Sequence, residues 1–77
     1  MKIQILGTGC AKCNTLALAA KAAADRLGLD YEMEKVTDFL RFADFGVMVT
    51  PALVVDGKVK STGKVPSDAD LEKLLQA

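Results

Sequence analysis

GTGCAKCNTLALAAKA, residues 7–22, decides the fold, because the chain changes its backbone habit here and places both of its cysteines at the change. Upstream, Lys2 to Leu6 reads as a strand, with Ile3, Ile5 and Leu6 apolar. Gly7, Thr8 and Gly9 break it and free the backbone just ahead of Cys10. Downstream, Lys12 to Leu27 is rich in alanine and leucine and contains neither proline nor glycine, so it reads as a helix. Leu16, Ala20, Ala23 and Leu27 recur at helical spacing and define one apolar stripe. Small alanines on that stripe allow close approach to a sheet, and Gly28 supplies the stop.

Outward from this strand–turn–helix unit the elements follow in order. Leu29, Tyr31 and Met33 alternate with Asp30, Glu32 and Glu34, which gives a strand with one buried face. Thr37 is the expected N-cap of a short helix through Phe45, with Phe39, Phe42 and Ala43 sharing its inner face and Gly46 closing it. Pro51 precedes the compact apolar run Ala52 to Val55. Asp56-Gly57 is a two-residue hairpin turn, and Lys58 to Ser61 returns. Ser67 caps a last helix, with Asp70 three positions on and Leu71, Leu74 and Leu75 as its anchor. The expected order is β-α-β-α-β-β-α. Helical crossovers favour parallel pairing in the first half, and the hairpin adds an antiparallel partner. The fold class is α/β, a four-stranded mixed sheet with three helices.

The totals narrow the function. Seventy-seven residues, half of them hydrophobic (51%), suit one small domain spanning 1–77. Ten basic and ten acidic residues cancel and aromatic residues are few, which disfavours a nucleic-acid surface. No apolar run is long enough for a membrane span or a signal peptide. We therefore expect a soluble, cytoplasmic, monomeric protein with neither nucleic acid nor membrane as partner. The chain has no histidine, which removes mixed cysteine–histidine metal sites and imidazole acid–base pairs.

Cys10-Ala11-Lys12-Cys13 therefore carries the chemistry. At a helix N-terminus, unpaired N–H groups and the helix dipole stabilise a thiolate and make it a better nucleophile. Lys12 adds a nearby positive charge. The i to i+3 spacing lets the second thiol resolve a mixed disulfide formed by the first. A cross-link this short restrains the unfolded chain little, so a disulfide here serves reactivity rather than stability. Two other readings stay open. The two thiolates could hold a soft metal such as Cu(I), or two chains could share a four-cysteine zinc site. A thiol sensor or adaptor would need the same accessible pair. Small copper-carrying domains run strand–helix–strand–strand–helix–strand, whereas this chain is expected to end in a helix.

The residues Gly7-Thr8-Gly9-Cys10-Ala11-Lys12-Cys13, Thr50-Pro51-Ala52-Leu53, Asp56-Gly57 and Gly63 together resemble the thioredoxin-like superfamily. More closely, the chain resembles the short thioredoxin/glutaredoxin-like proteins called redox-active disulfide protein 2. The resemblance implies a thiol–disulfide oxidoreductase needing no cofactor, in which Cys10 is the exposed nucleophile and Cys13 the resolving thiol. It implies a cis bond between Thr50 and Pro51, with the Thr50 backbone pairing with an extended substrate. It also implies a sheet with the Leu29–Met33 strand at one edge, then the N-terminal strand, then the hairpin. Substrate contacts are expected from Gly9, Ala11, Lys12, Val49, Thr50, Pro51 and Gly63. The implied partners are a protein disulfide or small thiol and a reductase or thiol donor.

Some positions depart from the larger relatives. Gly9, Ala11 and Lys12 replace the aromatic, Gly-Pro or Pro-Tyr residues usual around the pair. A glycine pair that helps hold glutathione is reduced to Gly63, although Ser67 and Asp68 could receive the charged end of that tripeptide. Val47, Met48 and Val49 are candidates for an apolar docking surface, against a simple role in the core. Asp25 reads as a surface residue rather than a proton shuttle for Cys13. Lys58, Lys60 and Lys64 read as a solvated face, with 58 and 60 on one side of their strand.

Overall fold

The computed structural model describes residues 1–9 and 11–76. Its elements are β1 (Lys2–Leu6), α1 (Ala11–Arg26), β2 (Glu32–Val36), α2 (Phe39–Asp44), β3 (Ala52–Val55), β4 (Lys58–Thr62) and α3 (Asp68–Gln76). The order is the one expected, and the last described element is a helix.

The four strands form one mixed sheet in the order β2-β1-β3-β4. β1 runs parallel to β2, from Lys2 opposite Glu32 to Leu6 opposite Val36. It runs antiparallel to β3, from Ile3 opposite Val55 to Leu6 opposite Ala52. Because side chains alternate across a sheet, each strand serves two layers. Ile3, Ile5, Leu53 and Val55 meet Leu16, Ala17, Ala20 and Ala23 of α1 and Leu71 and Leu75 of α3. On the opposite face Leu6, Val36, Ala52 and Val54 meet Phe42 of α2 and Val47. Ala20, Ala23 and Ala24 are fully buried, so the alanine stripe does bring α1 close to its neighbours. Arg26 and Glu72, 3.4 Å apart, join α1 to α3 at the surface.

Three local readings need correction. β2 starts later than expected, at Glu32 rather than Leu29, and runs on to Val36. Leu29, Tyr31 and Met33 still pack against the α1-side core; pairing with β1, not the alternation alone, sets the strand limits. The cap of α2 is Asp38, not Thr37. The Leu40 N–H donates to Asp38 Oδ1 at 2.9 Å, as an aspartate cap does. On that helix only Phe42 is buried; Phe39 is 72% exposed and merely sets its ring against Phe42 at 6.5 Å, edge to face.

The third concerns the hairpin. Asp56 and Gly57 both have positive φ, 50° and 81°, which is the two-residue turn that matches strand twist. The turn also anchors β1, since Lys2 N–H donates to Asp56 Oδ1 and Asp56 N–H to Lys2 O, each at 2.8 Å. Beyond it the register slips. Val54 faces Val59, but Leu53 faces Ser61, so Lys60 is an extra residue in β4. This bulge turns Ser61 inward beside Leu53.

Candidate functional site

The sequence candidates gather where all four strands finish or begin at one end of the sheet. Leu6 pairs with Val36 on one side and Ala52 on the other, and Ala52 pairs with Thr62. Gly7, Thr37, Pro51 and Gly63 are the next residues outward on the four strands. Hydrogen bonds tie them across: Gly7 N–H donates to Val36 O at 3.0 Å, and Gly63 N–H to Pro51 O at 2.8 Å.

Cys13 sits in the first turn of α1 and is 5% exposed. Its sulfur lies directly against Gly7, where a Cβ atom would run into Cys13 Sγ. Glycine at position 7 is thus a packing requirement as well as a strand terminator. A small recess in front of Cys13 is lined by Ile5, Gly7, Gly9, Asn14, Lys35 and Thr37. Lys35 arrives there because it is the register partner of Ile5, and both point to the α1 side of the sheet. Among the described residues, no carboxylate lines this recess. Cys10 lies outside the described residues. Gly9 has a φ of +88°, and Ala11 and Lys12 are exposed at the start of α1.

The second group is the loop before β3. The Thr50–Pro51 bond is cis, and Pro51 is buried. Of the three apolar residues ahead of it, Val47 fills the core at 5% exposure, while Met48 and Val49 stand out at 96% and 57%. Val49 rests on Gly63: a Cβ atom on Gly63 would lie 2.9 Å from Val49 Cγ1, and Gly63 itself has φ +73°. Gly63 therefore braces the loop that presents Thr50 and Pro51. Met48 also joins Phe39, Leu40, Phe42, Ala43 and Val47 around an apolar groove of about 270 Å³.

Sequence reasoning missed Lys35, Thr37 and Asn14 beside Cys13, and Phe39 and Leu40 on the surface. Lys35 was legible as the position two after Met33 on one strand face. Phe39 was not, because helical spacing cannot tell which of several apolar residues a six-residue helix buries. Asp25 is a surface residue as read. It accepts a hydrogen bond from Tyr31 Oη at 2.8 Å and another from Lys21 Nζ at 3.1 Å, which hold its carboxyl below the ordinary value. Among the described residues, no three cysteine or carboxylate side chains cluster as a metal site.

The profile of the thioredoxin domain matches residues 1–76. The chain belongs to the thioredoxin-domain family. It is 43% identical over 75 residues to a thioredoxin of Methanothermobacter thermautotrophicus, covering 97% of each chain. It is 40% identical over 75 residues to a thioredoxin of Methanocaldococcus jannaschii, covering 97% of this chain and 86% of the relative. Thioredoxin-domain proteins act on thiols and disulfides. Among the described residues, no helix of this one is long and apolar enough to cross a membrane.

Proposed function

We propose that this thioredoxin-domain protein is a thiol–disulfide oxidoreductase working through Cys10 and Cys13, with polypeptide disulfides as substrates. The observation that carries the reading is Cys13 in the first turn of α1, seated on Gly7 at the sheet end that also holds cis-Pro51. That end is where an attacking thiol in the residue-10 position would meet a substrate aligned by the Thr50–Pro51 segment.

In the proposed cycle the Cys10 thiolate attacks one sulfur of the substrate disulfide. The substrate S–S bond breaks, one substrate sulfur leaves as thiolate, and a Cys10–substrate disulfide forms. Cys13, deprotonated, then attacks the Cys10 sulfur and releases the second substrate thiol. The substrate gains two electrons and two protons, and the protein is left with a Cys10–Cys13 disulfide. A thiol donor or reductase must return those electrons. Before Cys13 attacks, water takes its proton, and the Lys35 ammonium lining the same recess favours the thiolate so formed.

Substrate class follows from the surface. The exposed Met48, Val49, Phe39 and Leu40 adjoin the cis-proline loop and offer apolar contact, which suits a peptide chain better than a charged tripeptide. We further propose that the chain lies in the short redox-active disulfide protein 2 branch and acts as a cytoplasmic monomer.

The test is an equilibrium redox titration of metal-free protein in defined dithiothreitol ratios, with free thiols alkylated and the mass read. Both thiols should be lost reversibly within one chain, and Cys13→Ser should accumulate a mixed disulfide with a model peptide. A pair that never closes, or closes only between chains, would sink the exchange mechanism.

A further inference from the structure

Away from the thiols, a recess of about 220 Å³ opens between β4 and α3, lined by Lys60, Ser61, Lys64, Pro66, Asp70 and Lys73. We propose that it binds the phosphate group of a small molecule.

The charges there are uncommitted. The ion pairs among the described residues are Lys2–Glu34, Lys21–Asp25, Arg26–Glu72 and Arg41–Glu34, none of which uses a residue of this recess. Three ammonium groups against the single Asp70 carboxylate leave two net positive charges, the charge that a phosphate monoester dianion would balance. Lysines serve phosphate as mobile point charges with several donors each.

The floor supplies the independent observation. Ser61 is only 7% exposed, and its Oγ is the one buried side-chain polar atom without a hydrogen-bond partner among the described residues. Buried hydroxyls are normally satisfied, so an orphan at the base of a charged recess points to an acceptor from outside. The β4 bulge is what puts it there. In an unbulged register Lys60 would face Leu53, and Ser61 would fall on the other side of the sheet. The same irregularity thus turns Ser61 inward and sets Lys60 on the rim. Ser61 itself lines the recess, and its unpartnered hydroxyl is the donor a phosphate oxygen would accept from at the base. The fit is to a single phosphate group rather than a polynucleotide, because the site is one small recess without aromatic residues to stack bases.

This inference does not depend on the exchange reaction, and its test can use the full chain with both cysteines changed to serine. Amide signals in ¹H–¹⁵N NMR spectra are followed during addition of inorganic phosphate, with chloride at equal ionic strength as control. Saturable shifts are expected at residues 60–64 and 70–74. Lys64→Gln with Lys73→Gln should weaken binding at least about tenfold, and Ser61→Ala should weaken it without shifting the spectrum of the remaining sheet. Succinate, a dicarboxylate of equal charge, should bind more weakly. Shifts reproduced by chloride, binding undiminished in the double lysine variant, or equal affinity for succinate would each overturn the proposal.

Discussion

Gly7 shows how much of this site depends on an absent side chain. Its place is set by the end of β1, and its missing Cβ leaves the space that Cys13 Sγ occupies. Gly9 differs: a Cβ there would meet nothing within 4 Å, and the demand is its φ of +88°. The two glycines should therefore fail differently. Gly7→Ala overpacks a closed junction, for which about 1–3 kcal/mol of destabilisation is typical, and it must displace the Cys13 sulfur or the start of α1. Gly9→Ala meets only the left-handed backbone penalty of roughly 1–2 kcal/mol. Urea unfolding of the reduced proteins gives the two losses. Alkylation of Cys13 by iodoacetamide separates the causes, since it should accelerate in Gly7→Ala and stay near the wild-type rate in Gly9→Ala. Equal alkylation rates in the two variants would mean that Gly7 is not what seats the thiol.

Among the elements, α2 is the least self-sufficient, with six residues and one buried side chain, Phe42. Its first turn depends on the Asp38 cap, whose carboxylate accepts the Leu40 N–H. Asp38→Ala should cost about 1 kcal/mol, as lost caps do, and loosen the exposed Phe39 and Leu40 beside the cis-proline loop. Thr37→Ala should leave α2 intact, because Thr37 lines the Cys13 recess instead of capping the helix. Amide hydrogen exchange at residues 39–44 distinguishes the two, and faster exchange in Thr37→Ala alone would reverse the assignment. The misplaced cap illustrates what local patterns convey. The α1 stripe was legible because its limits coincide with glycines on both sides and its spacing is long enough to define a face. The sheet order and the cis bond at Pro51 were legible only through the family resemblance, since neither periodicity nor composition carries them. Thr37 and Asp38 are adjacent and both good caps, so the choice falls to geometry that sequence does not contain. The β4 bulge is similar. Nothing local to Lys58–Thr62 signals the extra residue, because it arises from fitting β4 against β3 while Ser61 turns toward α3.

At the scale of the whole molecule, the electrostatics act at the joints between elements. Asp25 near the end of α1 holds Tyr31 ahead of β2, through a hydrogen bond of 2.8 Å. Glu34 in β2 accepts from Gln4 of β1 at 2.8 Å and from Arg41 of α2 at 3.4 Å. The Tyr31 hydroxyl, then Lys21, lower the Asp25 carboxyl from its ordinary 3.8. The Gln4 amide, then Arg41, lower that of Glu34 from 4.5. A carboxyl with a depressed folded-state value binds its proton more readily in the unfolded chain. Its contribution is therefore complete above the unfolded values and disappears as pH falls through the folded ones. With no histidine in the chain, no side chain of ordinary pKa adds a step between about pH 5 and 7. In the protein with both cysteines changed to serine, which removes the thiol titration, the melting temperature should be flat across that interval and drop on acidification below 4.5. Tyr31→Phe should raise the Asp25 pKa toward 3.8 and flatten part of the acid limb, while leaving Glu34 unmoved. Carboxyl ¹³C shifts followed through the titration read each site, and thermal unfolding at each pH reads the consequence. An Asp25 titration unchanged in Tyr31→Phe would detach that carboxylate from the joint. The phenol also packs toward the α1-side core, so a melting-temperature loss that is uniform in pH would then report the packing change alone.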